Sequence, residues 1–145
     1  MNIQELQTIV HHQFPIKLFV FNNGGYHSIR QTQSNFFGEP LVGCDAKSGV
    51  SCPDMEKIAT AYGIPYVCCA THAEMSKAID ATLDGPGPRM CEVMLTVDQP
   101  FAPKAASRRL ADGRMVSKPL EDLFPFLDRD EFRANMLIEP IAEPD

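Results

Sequence analysis

Two asparagines and two glycines stand together at positions 22–25, where the apolar run Ile16–Phe21 stops. Carboxamide oxygens and bare backbone carbonyls are hard, neutral donors of the kind magnesium and calcium accept. Magnesium commonly takes one or two protein groups and lets a bound phosphate complete its octahedron. Glycine permits a sharp turn and lets a phosphate approach with no Cβ in the way. The stretch FVFNNGGYHSI, Phe19–Ile29, therefore reads as a place where a cation and a phosphate could meet. The remaining candidates carry less. His11, His12 and His72 read as helix-surface residues. Five cysteines match neither a disulfide framework nor paired zinc knuckles. Cys68, Cys69 and Cys91 sit in apolar stretches and read as small buried hydrophobes, while Cys44 and Cys52 fall in a loop.

The elements that would position this turn follow from periodicity. Ile3, Leu6, Ile9 and Val10 form one apolar stripe on a helix from about Asn2 to His12, with Asn2 and Glu5 as a capping box. After Pro15, IKLFVFN is continuously apolar beyond Lys17, the pattern of a central strand covered on both faces. YHSIRQTQSNFFG begins a second helix, and Gly38, Pro40, Gly43 and Ser48 mark a long loop. CPDMEKIATAYG is a third helix, with acids in its first turn and Gly63 as its stop. PYVCCA is a buried strand. Thr71 and Glu74 cap a helix carrying Met75, Ala78, Ile79 and Leu83, and RMCEVMLTV is the next strand. Helices alternating with strands predict an α/β protein, a three-layer α/β/α sandwich on a mostly parallel sheet. The loops at the carboxyl ends of its strands should gather along one edge, where ligands bind.

The sandwich is expected over residues 1–99. Residues 100–145 are richer in proline and charge and read as an irregular C-terminal tail, with Asp112-Gly113 as a tight turn between two short extended arms. Leu120, Leu123, Phe124, Phe126, Leu127 and Phe132 need another surface to pack on, either the sandwich or a neighbouring chain. A chain of 145 residues suits one domain of this kind. A net charge of −6 argues against a general nucleic-acid or anionic-membrane partner. No apolar run approaches the roughly 20 residues that span a bilayer, and the N-terminus lacks the pattern of a secretory signal. A soluble, cytoplasmic protein is the expectation.

The closing Asn22-Asn23 at the end of a strand resembles the second half of the thiamine-diphosphate motif, which opens with Gly-Asp-Gly. MNIQELQTIV, IKLFVFNNGGYHSIRQTQ, DMEKIATAYGIPYV, CEVMLTVD and SKPLEDLFPFLDRDEF are, in that order, similar to parts of the C-terminal diphosphate-binding domain of acetolactate-synthase-like enzymes. The resemblance implies that Asn23 gives its side-chain oxygen and Gly25 its backbone carbonyl to Mg2+, with Asn22 shaping the turn. It implies that Gly24, Gly25, His27, Ser28 and Ile29 lie along thiamine diphosphate, and that the following loop forms part of a lid. The family's Gly-Asp-Gly would fall just upstream of Met1, so the domain is expected to be incomplete at its N-terminal side, with unpaired strand edges. No segment resembles the separate pyrimidine-binding domain whose glutamate activates the cofactor. The implied function is the diphosphate- and magnesium-binding part of a 2-oxo-acid decarboxylase/carboligase, a lyase or transferase of acetolactate-synthase type, inactive alone and acting as a homo-oligomer or with a chain that carries the missing domain. The alternative is a non-catalytic interaction module that retains the fold.

Overall fold

A computed structural model describes residues 2–140, and the chain divides between Gln99 and Pro100 into two compact units.

The first unit is built on three parallel strands, β1 (Lys17–Asn22), β2 (Tyr66–Cys69) and β3 (Arg89–Met94), in the order β1-β3-β2. Lys17 pairs with Arg89 and Asn22 with Met94, while Tyr66 pairs with Met90 and Cys69 with Val93. Period-two alternation then sorts the side chains onto two faces. Leu18, Val20, Tyr66 and Met90 pack with Leu6 and Val10 of α1 (Glu5–His11) and with Met55, Ile58 and Ala59 of α3 (Met55–Ala61). Val67, Cys69, Cys91 and Val93 pack on Ala78 of α4 (His72–Leu83). Helices on both faces of a parallel sheet make the expected three-layer α/β arrangement.

Three expectations need correction. β1 is not central: β3 holds that place, and β1 is an edge strand whose Phe21 is 66% exposed. An apolar run shows that a strand wants covering, but the strand order decides which one receives it. Asn2 does not cap α1 with its carboxamide. The first turn is wound tightly, with Glu5 N–H donating to the Asn2 carbonyl, Leu6 N–H to Ile3 and Gln7 N–H to Gln4, so the helix starts at Glu5. Cys68 is exposed whereas Cys69 and Cys91 are buried, because neighbouring residues of a strand point to opposite faces. Of the two loop cysteines, Cys44 is buried and Cys52 exposed.

The other helices end as their sequences suggest. Asp54 caps α3 by accepting from the Lys57 N–H at 3.0 Å. Thr71 and Glu74 form the capping box of α4, with the Glu74 carboxylate accepting from the amides of Ala70 and Thr71. Among the described residues, no helix is long and apolar enough to cross a membrane.

The second unit holds a hairpin, β4 (Ser107–Arg109) and β5 (Met115–Ser117), closed through Asp112 and Gly113, the latter at φ +89°. It also holds a helix that periodicity did not announce, α5 (Arg129–Asn135). Its cap was readable: Asp128 accepts from the amides of Asp130 and Glu131. Asp122, only 2% exposed, receives both terminal nitrogens of Arg129, at 2.9 and 3.0 Å, and the Lys118 ammonium at 3.2 Å. The Arg129 guanidinium also lies over the rings of Phe126 and Phe132. Among the described residues, every fully buried hydrophobic side chain belongs to the first unit.

Candidate functional site

Asn22 is the last residue of β1, and alternation places it on the same face as Glu92 of β3 and Tyr66 of β2. Both ends of its carboxamide are occupied. Nδ2 donates to Glu92 Oε1 at 2.6 Å, and Oδ1 accepts from the Gly24 N–H at 3.0 Å. The Tyr66 hydroxyl donates to the other Glu92 oxygen. Burial, and then the carboxylate it faces, push the Tyr66 phenol well above its ordinary range, so it stays a neutral donor. The Asn22 carbonyl accepts from Leu95 N–H at 2.8 Å, which draws the chain after β3 along the turn.

The next three residues divide the remaining work. Asn23 gives its carbonyl to Arg30 Nη2 at 3.0 Å. Gly24 turns the chain at φ +72°, and a Cβ there would already touch Val97. Gly25 lies across from Asp45, and a Cβ on it would fall 2.1 Å from the Cys44 carbonyl oxygen. Glycine is therefore required at 25 by a neighbouring strand of backbone. Among the described residues, the hydrogen bonds at this turn leave the Asn23 carboxamide and the Gly25 carbonyl outside the network.

The long loop is fastened at two points, one at the turn and one on the helix that follows it. The Tyr26 N–H donates to Cys44 O at 2.7 Å, and the Gln33 carboxamide clasps both backbone groups of Val42 at 2.8 Å. Inside the loop, Asp45 accepts from the Ser48 amide and hydroxyl. Those bonds hold the Asp45 carboxyl below its ordinary range, and the charge of Arg30 adds to the effect. His27, Ser28 and Ile29 open α2 (His27–Phe36). Successive helix residues point about 100° apart, and here they separate: His27 is buried at 7% exposure, while Ser28 and Ile29 are exposed.

The turn can thus offer two neutral oxygens, beside a helix N-terminus and a guanidinium. Among the described residues, no three His, Cys, Asp or Glu side chains gather as a cation site. A cation here would take its charge balance from a bound anion, and the donor set fits magnesium carried on a diphosphate. Glu92, Tyr66 and Arg30 escaped the sequence reading. One signal for them was present: a lone acid inside the apolar run RMCEVML costs free energy unless it is paired.

Comparison with known proteins identifies the family. The family described as thiamine pyrophosphate enzyme, C-terminal TPP binding domain, matches residues 1–93. The acetolactate synthase large subunit of Pyropia yezoensis is 33% identical over 106 residues, 73% of this chain and 18% of that protein. The chloroplastic acetolactate synthase 3 of Brassica napus and the chloroplastic acetolactate synthase of Arabidopsis thaliana are each 32% identical over 98 residues, 65% of this chain and 15% of theirs. The chain therefore spans less than a fifth of these relatives.

Proposed function

The chain belongs to the family of C-terminal, thiamine-pyrophosphate-binding domains of thiamine pyrophosphate enzymes, and on that premise we propose that the turn Asn22–Gly25 holds magnesium and the diphosphate of thiamine diphosphate. The observation that carries this is the division of oxygens at the turn. The Asn22 carboxamide is spent on Glu92 and Gly24 and the Asn23 carbonyl on Arg30, which leaves Asn23 Oδ1 and Gly25 O at the carboxyl rim of β1. In this reading those two oxygens bind the cation. Gly24 leaves room for the phosphates, and the first amides of α2, with Ser28, face their charge. His27 and Ile29 lie beside the thiazolium end. Thiamine diphosphate supplies, when bound, the electron sink for 2-oxo-acid decarboxylation and carboligation. The residues named here bind and orient, and none is assigned a proton transfer.

The reading extends to a magnesium-dependent lyase or transferase of acetolactate-synthase type, located in the cytoplasm. It would act as a homo-oligomer or in complex with a chain that carries a pyrimidine-binding domain, and in this reading the polypeptide alone is inactive. Calorimetry on the full chain with magnesium and thiamine diphosphate tests the core claim. Binding in the micromolar range, about −8 kcal/mol, supports it. No heat would overturn it in favour of a non-catalytic interaction module, for which exposed Phe19 and Phe21 on the edge strand offer a surface. Turnover of pyruvate well above background by the chain alone would overturn the inactivity clause.

A further inference from the structure

Glu92 stands in the middle of a central strand, 7% exposed, where a hydrocarbon side chain would pack at less cost. The Tyr66 hydroxyl satisfies one of its oxygens and Asn22 Nδ2 the other. Both Glu92 oxygens act as acceptors here, and the one facing Asn22 holds the NH2 end of its carboxamide, which turns Oδ1 outward, onto the Gly24 N–H. Without that acceptor the carboxamide is free to rotate, and the Gly24 amide loses the partner that closes the turn. We infer that Glu92 is the positioning residue of this turn: its carboxylate fixes the orientation of Asn22, and through Asn22 it fixes the shape in which Asn23 and Gly25 present their oxygens. The turn's being a magnesium and diphosphate site rests on the function proposed above, whereas the control of its shape does not.

Two readouts separate these claims. Amide exchange followed by NMR on the full chain without added ligand reports on the turn. Glu92→Leu is expected to speed exchange at Gly24 about tenfold or more while Leu18–Val20 keep their protection. Glu92→Gln, whose Oε1 can still accept from Asn22, is expected to retain the wild-type rate. A Gly24 rate unchanged by Glu92→Leu, or one accelerated equally with the whole of β1, would overturn the inference. Should Glu92→Leu fail to fold, Asn22→Asp at the half-buried strand end keeps an oxygen for the Gly24 N–H and removes the NH2 that Glu92 accepts from, and an unchanged Gly24 rate there would overturn the inference as well. Calorimetry with magnesium and thiamine diphosphate is the second readout. Wild-type binding weakened about tenfold in Glu92→Leu and restored in Glu92→Gln supports positioning toward the cofactor. Wild-type binding that Glu92→Leu leaves intact overturns it. A wild type that binds neither probe, yet shows the Gly24 effect, removes the cofactor reading and leaves Glu92 as the residue that shapes the turn.

Discussion

Replacing Gly25 with alanine puts one methyl group against backbone that has no rotamer to escape into. The added Cβ would lie 2.1 Å from Cys44 O, where ordinary contact begins at 3.4 Å, so turn and loop must part by about 1.3 Å. The Tyr26 N–H to Cys44 O bond, now 2.7 Å, would then exceed hydrogen-bonding distance. A lost bond of this kind costs about 1 kcal/mol. Holding a non-glycine residue at φ +154° adds strain of about 1–3 kcal/mol. The sum is about 2–4 kcal/mol, against about 1 kcal/mol for Gly24→Ala, where the nearest atom, on Val97, is already at ordinary contact. Urea unfolding of both variants, with amide exchange at Tyr26, measures the difference. Exchange matters because the loop can detach without global unfolding, which caps the loss seen in urea. A Gly25→Ala protein no less stable than Gly24→Ala, with Tyr26 as protected as in the wild type, would refute the claim that the loop backbone dictates glycine here.

Magnesium alone is expected to bind weakly, because the two protein oxygens proposed for it are neutral; titration with and without inorganic pyrophosphate should show tighter binding when the anion is present, and equal affinities would contradict the proposed donor set. Asp122→Asn should destabilise the second unit by about 1–3 kcal/mol, since it leaves Arg129 and Lys118 facing an uncharged group, a loss that thermal melts followed by NMR of β4 and β5 would register. The hydrogen bonds from Arg129 hold the Asp122 carboxyl below its ordinary range. Its contribution is therefore complete above the unfolded value of about 3.9 and lost as pH falls through the lower folded value, so melts of the wild type should drop in that acid window more than those of Asp122→Asn, which keeps the smaller loss from the other lowered carboxyls such as Asp112 and Asp128. Thr82→Val keeps the shape of a side chain that is 1% exposed and removes its bond to the Ala78 carbonyl together with its weaker hydrogen bond to the Cys91 thiol; chemical denaturation should register a change under about 1.5 kcal/mol.

Much of this molecule is written in local sequence. Gly-rich punctuation, the 3.6-residue stripes of α1, α3 and α4, and the Thr71–Glu74 cap depend on residues a few positions apart, so they could be read without a fold. The Asn-Asn-Gly-Gly turn after an apolar strand was legible for the same reason, and the family followed from that turn together with the helix, strand and tail segments in their order. Strand order was not: Lys17–Asn22 reads the same at an edge as in the centre, and only its pairing with Arg89–Met94 alone, 70 or so positions away, decides that Phe21 is bare. The second role of the glycines was equally hidden, because Gly25 is demanded by Cys44, which reaches it through a loop rather than through any spacing. Glu92 shows the same division. Its presence in an apolar run is a fact of sequence, but that it meets Asn22 and Tyr66 follows from the register of three strands. Hydrogen bonds between residues distant in the chain are fixed by tertiary packing, and that packing orients the carboxamide on which the turn is built.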